Sequence, residues 1–409
     1  MTAPAGAVPA EQSSTGPAPA WAELAGQQAA VEQLSRAAAA DRPTHAWLFT
    51  GPPGSGRSNA ARAFAQALQC EVQDPARRGC GSCHACLTVS AGTHADVKVL
   101  ATENVTYRID EVRDLIALAQ DRPTSGRWRI FIMEDADRMT ERATNVLLKA
   151  IEEPPERTIW MLCAPSPADV LVTIRSRCRQ VGLRIPAVQA VADLLVERDG
   201  LDPDLALFAA RASQSHVGMA RRLARDEGAR SRRESVVHLP LRVKATSDAV
   251  AMAKELVEVT QQEAAASAEV RNAEERRGLL RSLGLAEDEK VPAKLRHHVK
   301  RLEDAQTARN KRSVHDTLDR AMIDLTGLFR DVLALQLGTD AELVNEHLRD
   351  ELASYARAAS PERTVQRIDA VSTARRRLAG NVPPLLALEA MATSFLPDRI
   401  LDRRPPDHP

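Results

Sequence analysis

The sequence predicts an α/β core, a parallel sheet with helices on both faces, followed by a small helical lid and an all-α C-terminal domain. Three observations predict it. Between Trp21 and about Ile185 short apolar runs alternate with stretches of helical period, as expected of strands buried on both faces and joined by crossover helices. After Pro186 the strand signal stops. A glycine-rich loop, Gly51-Pro52-Pro53-Gly54-Ser55-Gly56-Arg57-Ser58, joins the first apolar run to the next helical stretch.

Residues 1–20 are dominated by Ala, Pro, Ser, Thr and Gly and carry one charge, Glu11. With neither a basic n-region nor an apolar core they read as a disordered tail, not a secretory signal. The core is expected over 21–185. Its strands are expected at Trp47-Leu48-Phe49, Val97 to Leu100, Ile130 to Met133, Ile159 to Leu162 and Val181 to Leu183, with helical period between them, as at Ile109, Val112, Leu115 and Ile116. Residues 187–226 read as three short helices broken at Gly200 and Gly218, within a lid assigned to 186–245. Residues 246–396 are helical in composition and period. Within them 262–316 is densely charged and poor in large apolar residues, which suits either a long solvated helical hairpin or partial disorder. A frayed tail is expected over 397–409.

A chain of 409 residues is too long for one compact domain. Its 55 basic and 55 acidic residues cancel, which excludes a polycation that holds nucleic acid by bulk charge. Aromatics at 3% argue against single-strand binders that stack bases on exposed rings. No run of about 18 apolar residues suggests a membrane span, and the chain reads as cytoplasmic. In that reducing compartment the six cysteines favour metal binding over a disulfide scaffold.

The glycine-rich loop has the context of a phosphate loop, strand before and helix after. Glycines let backbone N–H groups and the helix N-terminus face an anion. Gly51, Pro52, Gly54, Gly56, Arg57 and Ser58 are therefore candidates for binding ATP or ADP, with the Ser58 hydroxyl placed for magnesium. Position 57 ordinarily carries a lysine, a compact point charge, and a planar guanidinium does not simply replace it. The strand at 130–133 runs into Glu134-Asp135-Ala136-Asp137, resembling a Walker B segment with its two acids reversed. The water-facing carboxylate then sits on an arm shorter by about 1.5 Å, a misplacement that costs on the order of a hundredfold in rate. Glu134 and Asp135 join the candidate nucleotide site, and hydrolysis there is not expected.

Cys70, Cys80, Cys83 and Cys86 have the spacing C-x9-C-x2-C-x2-C. Four thiolates suit a closed tetrahedral zinc site that contributes to folding. A redox dithiol is the weaker alternative, because the pair does not open a helix after a strand. His84 reads as a solvent-facing spacer or as a substitute ligand. Cys163 and Cys178 read as inert core thiols.

Together these segments resemble the clamp-loader branch of the AAA+ ATPases. The resemblance is carried by Gly26-Gln27, by His45-Ala46-Trp47-Leu48-Phe49 and the loop after it, and by the four cysteines. It continues in Leu147-Leu148-Lys149-Ala150-Ile151-Glu152-Glu153-Pro154-Pro155, in Ser176-Arg177-Cys178, and in Asn381-Val382-Pro383-Pro384 through Leu388-Glu389. The altered loop is similar to that of the non-hydrolysing stator (delta-prime) branch, whereas the gamma/tau motor branch keeps the lysine and the Asp-Glu order. The resemblance implies that Arg177 is an arginine finger acting in trans on a neighbour's ATP. It also implies a hetero-pentamer with gamma/tau and delta subunits, joined through the C-terminal collar, that loads the beta sliding clamp onto primed DNA within the DNA polymerase III holoenzyme. No polymerase site is visible. The lid arginine of active members belongs near Ser215-His216-Val217-Gly218 and is missing there; Arg221 and Arg222 are the nearby substitutes. The 262–316 insertion departs from the family length and has no implied role.

Overall fold

The computed structural model describes residues 18–100, 106–282, 285, 291, 292, 295–380 and 382–397. They form two compact units: the described residues up to 100 with 108–184, and those from 185 onward with 106 and 107.

In chain order the first unit comprises α1 (Gln28–Ala39), β1 (Ala46–Thr50), α2 (Arg57–Gln69), α3 (His84–Ser90), β2 (Val97–Leu100), α4 (Ile109–Ala119), β3 (Arg129–Met133), α5 (Glu141–Glu152), β4 (Thr158–Ala164), α6 (Val172–Arg175) and β5 (Arg179–Gly182). The strands form one parallel sheet in the order β2-β3-β4-β1-β5. Every residue of β1, β3 and β4 is buried, which explains why their sequences are apolar without alternation. The edge strands β2 and β5 are more exposed. Trp47 meets Phe64 edge-on at 4.8 Å between centroids, and Phe131 stacks on Trp160 at 4.7 Å. The alanines of α2 at 60, 61, 63, 65 and 67 are buried; their small side chains let that helix lie close against the sheet. β1 leads directly into the glycine loop and α2. The loop therefore lies beyond the C-terminal strand ends, where β1 sits between β4 and β5 and open α/β sheets bind ligands.

The expected tail to residue 20 is too long. Pro19–Trp21 form a 3-10 turn, Ala20 and Trp21 are buried, and the Ala20 N–H donates to the Gly79 carbonyl at 3.0 Å. A large indole so close to the tail supplies burial that composition over twenty residues hides. Residues 1–17 lie outside the described residues, as does the tail from 398.

The second unit contains α7 (Val188–Asp199), α8 (Pro203–Ala212), α9 (Val217–Arg225), α10 (Glu227–His238), α11 (Thr246–Ser282), α12 (Arg296–Leu337), α13 (Arg349–Ala356), α14 (Pro361–Ala379) and α15 (Pro384–Ala392). Gly200, at φ +65°, ends α7 as expected. Gly218 does not break a helix. Gln214 and Ser215 adopt left-handed backbone between α8 and α9, and His216 Nδ1 accepts from the Met219 N–H at 3.3 Å to cap α9, whose first turn contains Gly218. Polar residues that tolerate such a cap made the break one turn earlier than the glycine suggested.

The unit has separate apolar cores. One joins α7, α8 and α9 through Val191, Leu195, Ala209, Ala220 and Leu223. Another joins α11, α12, α14 and α15 through Met252, Leu256, Met322, Phe329, Val371, Leu388 and Phe395. α10 serves both: Ala229 belongs to the first and Val236 to the second. Buried Arg233 on α10 donates to Asp324 at 3.1 Å and to Asn345 at 2.8 Å. Over 262–282 and 296–316 the densely charged stretch is helical, as the distal parts of α11 and α12. These pair through Arg276–Glu303 at 2.9 Å, Arg309–Glu275 and Gln306 to the Asn272 carbonyl at 3.1 Å. Its buried apolar residues among those described are Ala264, Ala268, Leu280 and Val299, a thin seam that the cross-helix polar pairs supplement.

Candidate functional site: phosphate loop, cysteine cluster and surface arginine

The loop between β1 and α2 curls as its glycines demand. A Cβ on Gly51 would come within 2.5 Å of the Leu183 carbonyl oxygen and 2.6 Å of Ser55 Oγ. Gly56, at φ +86°, is the N-cap of α2 and opens the helix without a side chain over its N-terminus. The Ser55 N–H donates to the Pro52 carbonyl at 3.1 Å. Ser55 Oγ is buried and has no protein partner, an orphan that an anion in the cradle would satisfy. The backbone shape thus fits a phosphate. The cation does not follow the ordinary pattern: Arg57 Nη1 donates to the Gly51 carbonyl at 2.7 Å, across the loop it belongs to. Ser58 is half-buried in the first turn of α2.

The acids after β3 take separate partners. Glu134 pairs with Arg62 of α2 at 3.0 Å. Asp135 stands in left-handed backbone at φ +52° and pairs with Arg138 at 3.7 Å. Asp137 is partly buried, and burial, reinforced by the Asp135 charge, pushes its carboxyl above the usual range against the pull of Arg138 and Arg57. Reversal of the first two acids was legible in the sequence; the nearness of Asp137 to Arg57 was not. Gln27 was also missed as a site residue. It is buried, and its amide bridges two segments, donating to the Ser55 carbonyl at 3.2 Å and the Arg184 carbonyl at 2.6 Å while accepting from the Arg184 N–H at 3.2 Å. A buried glutamine needs fixed hydrogen-bond partners; here they are backbone groups of Ser55 and Arg184, so it ties the loop to the end of β5.

Cys70 ends α2, Cys83 caps α3, Cys86 lies in its first turn, and Cys80 precedes them in a glycine-flanked turn. Their sulfurs lie within 4.8 Å of one another, with Cys80–Cys86 and Cys70–Cys83 at 4.0 Å. A tetrahedron of roughly 2.3 Å metal–sulfur bonds has edges of about 3.8 Å, so the donor set could hold a metal ion. N–H groups of Cys83 and Cys86 point at the sulfurs of Cys80 and Cys83, each at 3.4 Å. Burial opposes the Cys80 thiolate, but donors from Ser82 and Cys83 outweigh it and bring that thiol down to about 6. Burial pushes Cys86 up. His84 is exposed and stands outside the cluster. Cys163 and Cys178 are buried, and burial pushes both thiols up to about 12.

Arg177 follows α6 at the surface. Its Nη2 pairs with Glu152 Oε1 at 2.7 Å, and Nη1 donates to the Thr173 carbonyl at 2.9 Å. Leu171 and Val172, at the start of that helix, are exposed. In the second unit, Arg221 donates to Asp199 at 2.8 Å and Arg222 pairs with Glu263. Both suggested lid arginines are thus committed to carboxylates of their own unit. Among the described residues no helix is long and apolar enough to cross a membrane.

The parallel five-stranded sheet and the glycine loop that joins β1 to α2 give the first unit a P-loop α/β fold, and the second unit is helical. Residues 26–187 match the family described as "DNA polymerase III, delta subunit". The gamma/tau subunit of DNA polymerase III from Mycobacterium tuberculosis (strain ATCC 25618 / H37Rv) is 34% identical over 192 residues, which are 46% of this chain and 33% of that one. The delta' subunit from Pseudomonas aeruginosa is 35% identical over 214 residues, 52% of this chain and 64% of that one. This chain therefore spans from a third to under two thirds of the length of these relatives. A solved gamma subunit-related protein from Thermotoga maritima covers 89% of this chain and 97% of its own length, at 17% identity and a TM-score of 0.40. In its first unit, the chain is thus similar to clamp-loader subunits of DNA polymerase III.

Proposed function

We propose that this chain is the stator, or delta-prime, subunit of a DNA polymerase III clamp loader, acting in the cytoplasm. It assembles with gamma/tau and delta subunits as a hetero-pentamer, through its C-terminal helices, and helps place the beta sliding clamp on primed DNA. The observation that carries this reading is Arg57. A guanidinium that bonds the carbonyl of Gly51 is not the mobile point charge that reaches terminal phosphates. Glu134 is drawn to Arg62, and Asp135, in the water-orienting place, pairs with Arg138. The loop's role is then to hold nucleotide statically or to brace the sheet.

Catalysis passes to the neighbour. Arg177 is exposed on an edge framed by Leu171 and Val172, a surface suited to another protein. Its guanidinium stabilises the charge that develops on a phosphoryl group held by the adjoining motor subunit, a contribution of about 10³ to 10⁵ in rate where such fingers are best understood. Zinc bound by Cys70, Cys80, Cys83 and Cys86 would brace the α2–α3 corner and takes no part in that chemistry.

A second reading is an active ATPase of the gamma/tau type, favoured by the 34% identity to the mycobacterial gamma/tau subunit. Reconstitution with motor and delta subunits separates the two. The stator reading expects Arg177→Ala to lower clamp- and DNA-stimulated ATP turnover at least a hundredfold, and Arg57→Ala to leave it unchanged. The reverse pattern would make this chain a motor.

A further inference from the structure

We infer that Glu152 is a positioning residue for Arg177, one that holds the finger's guanidinium ready for a neighbour's phosphates. The inference rests on the stator reading and deepens it. Glu152 is the last residue of α5, and Pro154 and Pro155 follow it; a residue preceding proline disfavours helix, so the helix end is fixed there. A carboxylate in the last turn opposes the helix dipole. It therefore needs a compensating cation, and Arg177 supplies it at 2.7 Å. On the other side of the same guanidinium, Nη1 donates to the Thr173 carbonyl at 2.9 Å and lies 3.4 Å from Ser176 Oγ. An arginine without such contacts spreads over many rotamers. These contacts hold the planar fork, while 41% of the arginine side chain remains open to water.

The strength of the pair suits this task. Both side chains are about 40% exposed, and ion pairs this open to solvent are weak. A phosphoryl group, with more charge and geometry for bidentate bonding, can take the guanidinium from a single carboxylate oxygen. Glu152 restricts where Arg177 is found without trapping it.

The test uses the complete reconstituted loader with Glu152→Gln, Glu152→Asp, Arg177→Ala and the double variant Glu152→Gln/Arg177→Ala. Glu152→Gln should lower kcat roughly tenfold with KM for ATP unchanged, less than the hundredfold or so of a full misplacement because the Thr173 contact remains. Glu152→Asp should recover part of the loss. In the double variant, turnover should equal that of Arg177→Ala alone, because Glu152 acts only through Arg177. Thermal melts of each variant chain should match the parent. Full activity in Glu152→Gln, losses that multiply in the double variant, or a loss that follows a lowered melting temperature would each overturn the inference. If Arg177→Ala is silent, the finger reading fails and takes this inference with it. If Arg177→Ala is damaging and Glu152→Gln is silent, the inference alone fails.

Discussion

Arg57 turns inward, where its guanidinium donates to the Gly51 carbonyl, while Arg177 stands in water beside Glu152. The same side chain is a strap in one place and an available charge in the other, because of what surrounds it. Asp96 shows how far surroundings govern a single group. Its buried carboxylate accepts from the N–H groups of Thr124, Ser125 and Gly126 at 2.7 to 2.8 Å, and Arg129 stands 3.4 Å away. Burial alone would raise its pKa, but the N–H donors outweigh burial and hold the carboxyl below the ordinary value of 3.8. A depressed carboxyl contributes stability that is complete above its unfolded pKa and lost as pH falls through its folded one. Asp96→Asn should therefore cost about 3 kcal/mol at neutral pH, as for other broken buried pairs, by denaturant unfolding of the full chain. The gap from the parent should narrow below pH 3.8; a gap that stays constant with pH would show that the carboxylate charge is not what holds the 124–126 turn.

At the scale of elements, the cysteine cluster joins the end of α2 to the start of α3. Metal binding there draws on folding free energy. One zinc ion per chain is expected by elemental analysis, lost in Cys86→Ser, with a melting temperature lower by several degrees. Uptake should weaken as pH falls, since protons compete for the sulfurs. Cys80, brought down to about 6, is the thiol already ionised at neutral pH, whereas Cys86 must surrender its proton to the metal. Uptake at neutral pH should therefore release fewer protons than the site has cysteines, measurable by calorimetry in buffers of different ionisation enthalpy.

For the whole molecule, the informative contrast lies between the proximal and distal parts of α11 and α12. The proximal parts supply Met252, Leu256, Leu318, Met322 and Phe329 to a shared core. The distal parts offer a thin seam of Ala264, Ala268, Leu280 and Val299 with cross-helix ion pairs, and exposed pairs add little stability. Replacing residues 266–312 with a short Gly/Ser connection should shift the melting temperature by no more than about 3 °C, with helicity falling in proportion to the residues removed. A collapse of the melting transition would show that the hairpin is part of the core.

The order of strands along the chain, the phosphate loop, the cysteine spacing and the altered Arg57 could all be read from sequence. Each is a local signal: strands buried on both faces are apolar over four or more residues, a tight loop needs glycine, and knuckles need closely spaced thiols. The tertiary structure decided what depends on distant partners. It gave Glu134 to Arg62, brought Asp137 near Arg57, tied Gln27 to Arg184 across 157 positions, and set Glu152 against Arg177. It also moved the α8–α9 break to Gln214 and Ser215, where a histidine cap outweighed a glycine's freedom. Such pairings turn on which surfaces meet when helices pack on a sheet, and residues far apart in the chain carry no local mark of it.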